Sequence, residues 1–146
     1  MDNLSIFAER LKEYMTETEL SVSDLAKTVK CSRATVSALV NGAHLPSLEV
    51  LVSLVELFNC SADYLLGLTE YPKTFNFGSV KPFAERLKIC MKENGVSEYK
   101  LRTEQNISGS LTYRWLAGKA QPTVASLMKL RNYFGCTVDY LLGREN

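Results

Sequence analysis

Lys27, Lys30 and Arg33 crowd three cations around one short turn, and clustered cations are the side chains that neutralise phosphate. Other chemistry has little to work with. His44 is the sole histidine and stands beside no nucleophile, so acid–base catalysis is not expected of it. The four cysteines, Cys31, Cys60, Cys90 and Cys136, form no C-x-x-C pair and have no histidine cluster near them, which leaves metal and redox chemistry without a motif. Cys60 and Cys136 each precede a short helix and are expected to be buried free thiols filling a corner of the core. The reading is of a non-enzymatic protein with no catalytic residue, cofactor or metal.

The elements that position these residues occur twice. Phe7-Ala8-Glu9-Arg10-Leu11-Lys12 returns as Phe83-Ala84-Glu85-Arg86-Leu87-Lys88, and Cys60-Ser61-Ala62-Asp63-Tyr64-Leu65-Leu66-Gly67 as Cys136-Thr137-Val138-Asp139-Tyr140-Leu141-Leu142-Gly143. Phe7 pairs with Phe83 and Cys60 with Cys136 at the same offset of 76 residues, without a slip between them. A gapless repeat of this length marks two copies of one domain. In the first copy Ile6, Phe7, Leu11, Tyr14 and Met15 fall at helical spacing, with Glu9, Arg10, Lys12 and Glu13 on the opposite, solvated side. Ser21 with Asp24 forms a capping box opening a second helix that ends near Val29. Ser32 caps a third helix running to about Asn41, and Gly42 ends it. Pro46 and Ser47 open a fourth helix through Phe58, and Ser61 caps a fifth before Gly67. The second copy repeats the plan over Phe83 to Glu93, Ser97 to Gln105, Ser108 to Ala117, Thr123 to Phe134 and Thr137 to Leu142.

The chain of 146 residues is thus expected to be all-α, with a first domain over residues 1–69, a linker over 70–82 and a second, divergent domain over 83–146. An apolar fraction of 46% and a charged fraction of 23% are ordinary for globular protein. No apolar run approaches the roughly 20 residues of a membrane span, and Met1-Asp2-Asn3 does not begin like a secretory signal, which predicts a cytosolic protein. The net charge of +1 conceals an asymmetry. Residues 1–70 hold five cations against ten carboxylates, and residues 71–146 hold twelve against six. In the stretch between the copies, Tyr71, Phe75 and Phe77 are expected to pack on apolar surface. At full extension Leu68 to Pro82 reach about 50 Å.

Two short capped helices separated by Lys30 and Cys31 make a helix-turn-helix. The series Leu25-Ala26, Ser32, Val36, Leu39, Asn41-Gly42, Pro46, Leu51, Leu54 and Asp63-Tyr64-Leu65-Leu66-Gly67 resembles the Cro/C1-type, lambda repressor-like regulators of the xenobiotic-response-element family. The resemblance covers nearly all of each copy and is more specific in the first. It implies two tandem five-helix DNA-binding domains, double-stranded DNA as partner, and a cytoplasmic, bacterial or phage-encoded, nucleoid-associated regulator of transcription, a repressor. It implies that the third helix enters the major groove. The base-facing residues carried over by position are Arg33, Ala34, Ser37 and Ala38, Arg33 having the bidentate fork that matches guanine O6 and N7. Thr35 is assigned to a phosphate or base, and Asn41, His44 and the free amides at Ser21 and Ser32 to phosphates.

The second copy departs from the pattern where contact with DNA is implied. Arg102 replaces the small Ala26 and must bend out or push its helices apart. Gly109 replaces Arg33 and offers no side chain. Ser108, Ser110, Tyr113, Arg114 and Lys119 remain as candidate contacts there, with Trp115 read as core and Lys30 and Asn106 standing in for a turn glycine. On this reading the first copy reads sequence and the second adds backbone affinity or a second half-site, as an intramolecular pseudo-dimer or within a homodimer. The rival reading is a protein-interaction module, antirepressor or antitoxin-like, that keeps the fold without sequence-specific DNA binding.

Overall fold

The computed structural model describes residues 2–72 and 82–145. The chain divides into two compact units, Met1–Phe75 and Asn76–Asn146. The described residues of the first form α1 Asn3–Thr18, α2 Val22–Thr28, α3 Arg33–Val40, α4 Leu48–Phe58 and α5 Ala62–Leu65. Those of the second form α6 Phe83–Asn94, α7 Glu98–Gln105, α8 Gly109–Leu116, α9 Val124–Phe134 and α10 Val138–Leu141. No strand occurs among them, and no helix among them is long and apolar enough to cross a membrane.

The helices are short and owe their limits to side-chain caps. Ser21, Ser32, Ser47 and Ser61 each accept a hydrogen bond from the backbone amide three residues on, and Ser97, Ser108, Thr123 and Thr137 do the same in the second unit. Each such cap is worth about 1 kcal/mol. The first helices differ. Asp2 caps α1 through the Ser5 amide, whereas α6 starts after Pro82 with no side-chain cap and is four residues shorter. A proline fits a helix start and resists any upstream extension.

Helix periodicity buries one stripe of each element. In the first unit Phe7, Leu11, Leu25, Val36, Leu39, Leu51, Leu54 and Leu65 make the core, with α1 packed on α3 and α5. In the second unit Phe83, Leu87, Leu101, Trp115, Leu127, Leu130 and Leu141 take corresponding places, with α6 packed on α8, α9 and α10. Each fully buried large apolar side chain contributes about 1.5–3 kcal/mol. Trp115 is 1% exposed and meets Phe83 edge to face at 5.8 Å, as its reading as core requires. Thr112 replaces Val36 in the core, and its hydroxyl donates to the Ser108 carbonyl at 3.0 Å.

Three expectations change. Arg10 does not lie on a solvated face. It reaches across to donate to the carbonyls of Tyr64 and Thr69 and lies 3.9 Å above the Tyr64 ring, while its counterpart Arg86 is 4% exposed and lies 4.4 Å from the Tyr140 ring. Both tie a first helix to a last one, and Arg10 satisfies carbonyls at the end of its domain. Cys60 is buried as expected, but Cys136 is only half-buried. Tyr71 is 79% exposed and covers no apolar surface, whereas Phe75 and Phe77 lie outside the described residues.

Candidate nucleic-acid interface

α2 begins in a reciprocal cap. The Ser21 hydroxyl accepts from the Asp24 amide and the Ser21 amide donates to the Asp24 carboxylate, both at 3.1 Å. The amide bond, with help from the hydroxyl, holds the Asp24 carboxyl below its usual range. This amide is therefore engaged inside the protein, which corrects the expectation that it stands free for a phosphate. After α2 the chain turns at Lys30 in the left-handed region, φ 56°, and the Cys31 amide closes the turn on the Ala26 carbonyl at 3.0 Å. Ser32 then caps α3, accepting from the Thr35 amide at 3.0 Å and sharing a hydrogen bond with the Thr35 hydroxyl at 2.8 Å.

Leu25 and Ala26 of α2 pack against α3, which turns Val36 and Leu39 inward. The geometry leaves Arg33, Ala34 and Asn41 exposed and Thr35, Ser37 and Ala38 half-exposed. Positions 34, 37, 38 and 41 follow the i, i+3, i+4, i+7 rule, so they share one outer stripe. Arg33 also lines a surface cavity of about 420 Å³ with Ser23, Ala26, Lys27 and Cys31. His44, in the exposed loop after α3, has its Nδ1 2.9 Å from the Leu45 carbonyl oxygen.

In the second unit the same construction carries a different surface. Asn106 takes the left-handed turn position at φ 53°, and the Ile107 amide bonds to the Arg102 carbonyl at 3.0 Å. Ser108 caps α8 through the Leu111 amide at 3.1 Å. Ser110, Tyr113, Arg114 and Lys119 are exposed. Tyr113 is 57% exposed, with the Lys119 ammonium 5.7 Å from its ring centre.

Arg102 does not splay out into solvent. It is half-buried, and its Nη1 lies where a side chain at Gly109 would begin, 2.8 Å from an added Cβ. Gly109 is thus the position that admits the arginine, whose guanidinium also lies 5.7 Å from the Tyr99 ring.

Residues 6–65 match a family described as a helix-turn-helix domain, and residues 86–146 match one described as a Cro/C1-type HTH DNA-binding domain. The chain carries two helix-turn-helix domains in tandem. A relative from Bacillus subtilis (strain 168), the SPbeta prophage-derived uncharacterized HTH-type transcriptional regulator YonR, is 35% identical over 60 residues, which is 41% of this chain and 56% of the relative. The matched stretch thus spans little more than half the length of that protein. No solved structure matches the chain.

The Cro/C1-type match falls on the second helix-turn-helix domain, although the first holds the small α2 residue at Ala26 and the Asn41-Gly42 pair. Sequence reasoning missed Ser23 as a neighbour of Arg33, and it missed the contact of Arg102 with Gly109. The first had a signal, since Ser23 and Lys27 are four apart on α2. The second had none, because an arginine beside a glycine across a turn shows only once both helices are placed.

Proposed function

We propose that the protein is a sequence-specific double-stranded DNA-binding regulator of transcription, a repressor, whose α3 enters the major groove. The observation that supports this reading is the outer stripe of α3, with exposed Arg33 at its start beside Lys27 and no apolar side chain larger than alanine along it. An apolar stripe would call for a protein partner. A short stripe of small and hydroxyl-bearing residues lets the helix approach base edges closely, with Arg33 placed for bidentate recognition of guanine and Ala34 and Ala38 for thymine methyls. Thr35, Ser37, Asn41, His44 and the Ser32 cap supply contacts to the flanking phosphates and sugars.

The second helix-turn-helix domain adds cationic contacts through Arg114 and Lys119, with Ser108 and Ser110 near the helix start and Tyr113 beside them. A pair of such domains reads half-sites about 34 Å apart. Because α3 and α8 expose different residues, an operator read by both is asymmetric. Gel-shift titration against promoter DNA from the neighbourhood of the coding sequence tests this. The expected outcome is a specific complex whose affinity falls steeply between low and physiological salt, since each neutralised phosphate adds about 0.9 to the logarithmic salt slope. Salt-independent binding, or none, overturns the reading.

One observation favours a second reading. Tyr99 and Tyr113 are the large exposed side chains of α7 and α8, and exposed tyrosines are enriched at protein interfaces. On that reading the second domain is the interaction surface of an antirepressor or antitoxin-like partner, or of a homodimer, and sedimentation of the free protein and its DNA complex separates these states.

A further inference from the structure

The second unit brings together two thiols that the chain keeps far apart. Cys90 on α6 and Cys136 in the turn between α9 and α10 line one open cavity of about 770 Å³, together with Arg86, Glu93, Phe134 and Tyr140. Both are free cysteines, Cys90 3% exposed and Cys136 half-buried, and their side chains hydrogen-bond to each other. That bond from Cys136, and to a lesser degree the Arg86 charge, hold the Cys90 thiol below its ordinary value against the opposing effects of burial and Glu93. Thiols reactive toward oxidants are found near a cation and an access path, and here Cys90 is reached through the cavity that Arg86 and the more exposed Cys136 also line.

The first unit supplies an internal control. At the positions matching Cys90 and Cys136 it has Tyr14 and Cys60, with the Tyr14 ring stacked on Phe58 at 5.0 Å and its phenol bonded to the Cys60 thiol. The fold therefore accepts a phenol at this place. A second thiol is a property of one copy. Two sulfurs alone make no three-ligand metal site, and no cluster of three or more candidate ligands occurs among the described residues. The remaining free thiol of intermediate exposure, Cys31, is pushed up by burial and is the poorer nucleophile.

We propose that Cys90 and Cys136 form a peroxide-reactive dithiol that closes to an intramolecular disulfide. The Cys90 thiolate attacks one oxygen of hydrogen peroxide, breaking the O–O bond and giving a sulfenic acid and hydroxide. The Cys136 thiol then attacks that sulfur. The sulfenic oxygen leaves as water with the Cys136 proton, and the two electrons given up by the sulfurs reside in the reduced peroxide oxygens. The new bond, about 2 Å long, staples α6 to the α9–α10 turn and closes a loop containing α7, α8 and α9. A small thiol reductant reverses it by exchange. This site does not depend on the DNA-binding reading.

The test uses the full-length reduced protein, treated with hydrogen peroxide, alkylated with iodoacetamide and mapped by mass spectrometry without reduction. The expected product has lost two hydrogens, joins the Cys90 peptide to the Cys136 peptide, returns to the starting mass with dithiothreitol, and leaves Cys31 and Cys60 alkylated. Cys136→Ser should stop at a sulfenic acid on Cys90 that dimedone traps. Cys90→Tyr, which copies the first unit, should lose the link while keeping the helical circular dichroism. Full alkylation of Cys90 and Cys136 after peroxide, or oxidation confined to other residues or to bonds between chains, overturns the proposal even if every variant misfolds, because the wild-type map alone decides it.

Discussion

Ala26 and Arg33 in the first helix-turn-helix correspond to Arg102 and Gly109 in the second, so the guanidinium has moved across the turn from one helix to the other. In the first domain the arginine stands on α3, exposed, beside a cavity floored by the small Ala26. In the second it rises from α7 and lies over the bare backbone of Gly109. The scaffold tolerates either arrangement because the turn geometry, the caps and the buried leucines do not involve this side chain. What changes is its task. On the proposed function a guanidinium at the start of α3 reads a base, whereas one laid on Gly109 fills space and keeps a charge near the surface.

The two domains also close differently, and there the largest effect is expected. Arg144 of the second donates to the Asp139 carboxylate at 2.6 Å, both side chains buried, whereas the first has Leu68 at the matching place. Arg144→Ala, which removes the guanidinium from a buried carboxylate, should destabilise the second unit by about 1.5–3 kcal/mol in chemical denaturation, and Leu68→Ala should cost the first unit less. A loss below 1 kcal/mol would mean that the domains close in the same way after all.

The contrast between α3 and α8 predicts two kinds of loss in DNA binding. Arg33→Ala should cost about 1–3 kcal/mol of specific affinity and relax the preference at one base pair. Arg114→Ala should weaken all sequences alike and reduce the salt slope by about one. Competition gel shifts over a panel of operator variants separate these outcomes. Equal behaviour of the two variants would end the distinction between a reading and a supporting domain.

Turn residues give a smaller contrast of opposite sign. α1 ends at Glu19 with φ 56°, a conformation costly for a residue with a Cβ, where α6 ends at Gly95 with φ 64°. Glu19→Gly should therefore stabilise the first unit by about 1 kcal/mol by thermal melting. Gly95→Ala should cost the second a similar amount, for backbone reasons alone, since nothing lies within 4 Å of its missing Cβ.

The last and smallest difference is a tether from α9 to α7. The Tyr133 hydroxyl donates to the Glu104 carboxylate, which pushes the phenol up to about 12, while the first unit has Leu57 and Thr28 at these positions. The folded value lies above the unfolded one. The stabilisation is thus fully present below about 10, the ordinary tyrosine value, and is lost as pH rises through about 12. Ultraviolet titration should show two late-ionising tyrosines, Tyr14, which burial pushes up, and Tyr133, of which only Tyr133 returns toward its ordinary value in Glu104→Gln.

Much of this was legible without coordinates. The Ser21–Asp24 capping box, the serine and threonine caps, the left-handed turns at Lys30 and Asn106 and the core place of Trp115 all stand where residue type and spacing put them. Arg10 was misread as solvated because helical spacing places a long cation on a face but says nothing of where its far end reaches. The carbonyls it bonds to lie more than fifty residues away.

Sequence by itself determined two copies of one all-helical domain, since caps and apolar periods act over three or four residues and repeat visibly. The resemblance carried Arg33, Ala34, Ser37 and Ala38 over onto α3, where all four stand exposed or half-exposed. Only the tertiary structure decided that Arg102 needs Gly109, that Arg144 answers Asp139 across the end of a helix, and that Cys90 meets Cys136 where the first copy has Tyr14 and Cys60. Apart from the Arg144 pair, which spans a single helix end, those partners belong to different elements. Their meeting is set by helix packing, which no local spacing encodes.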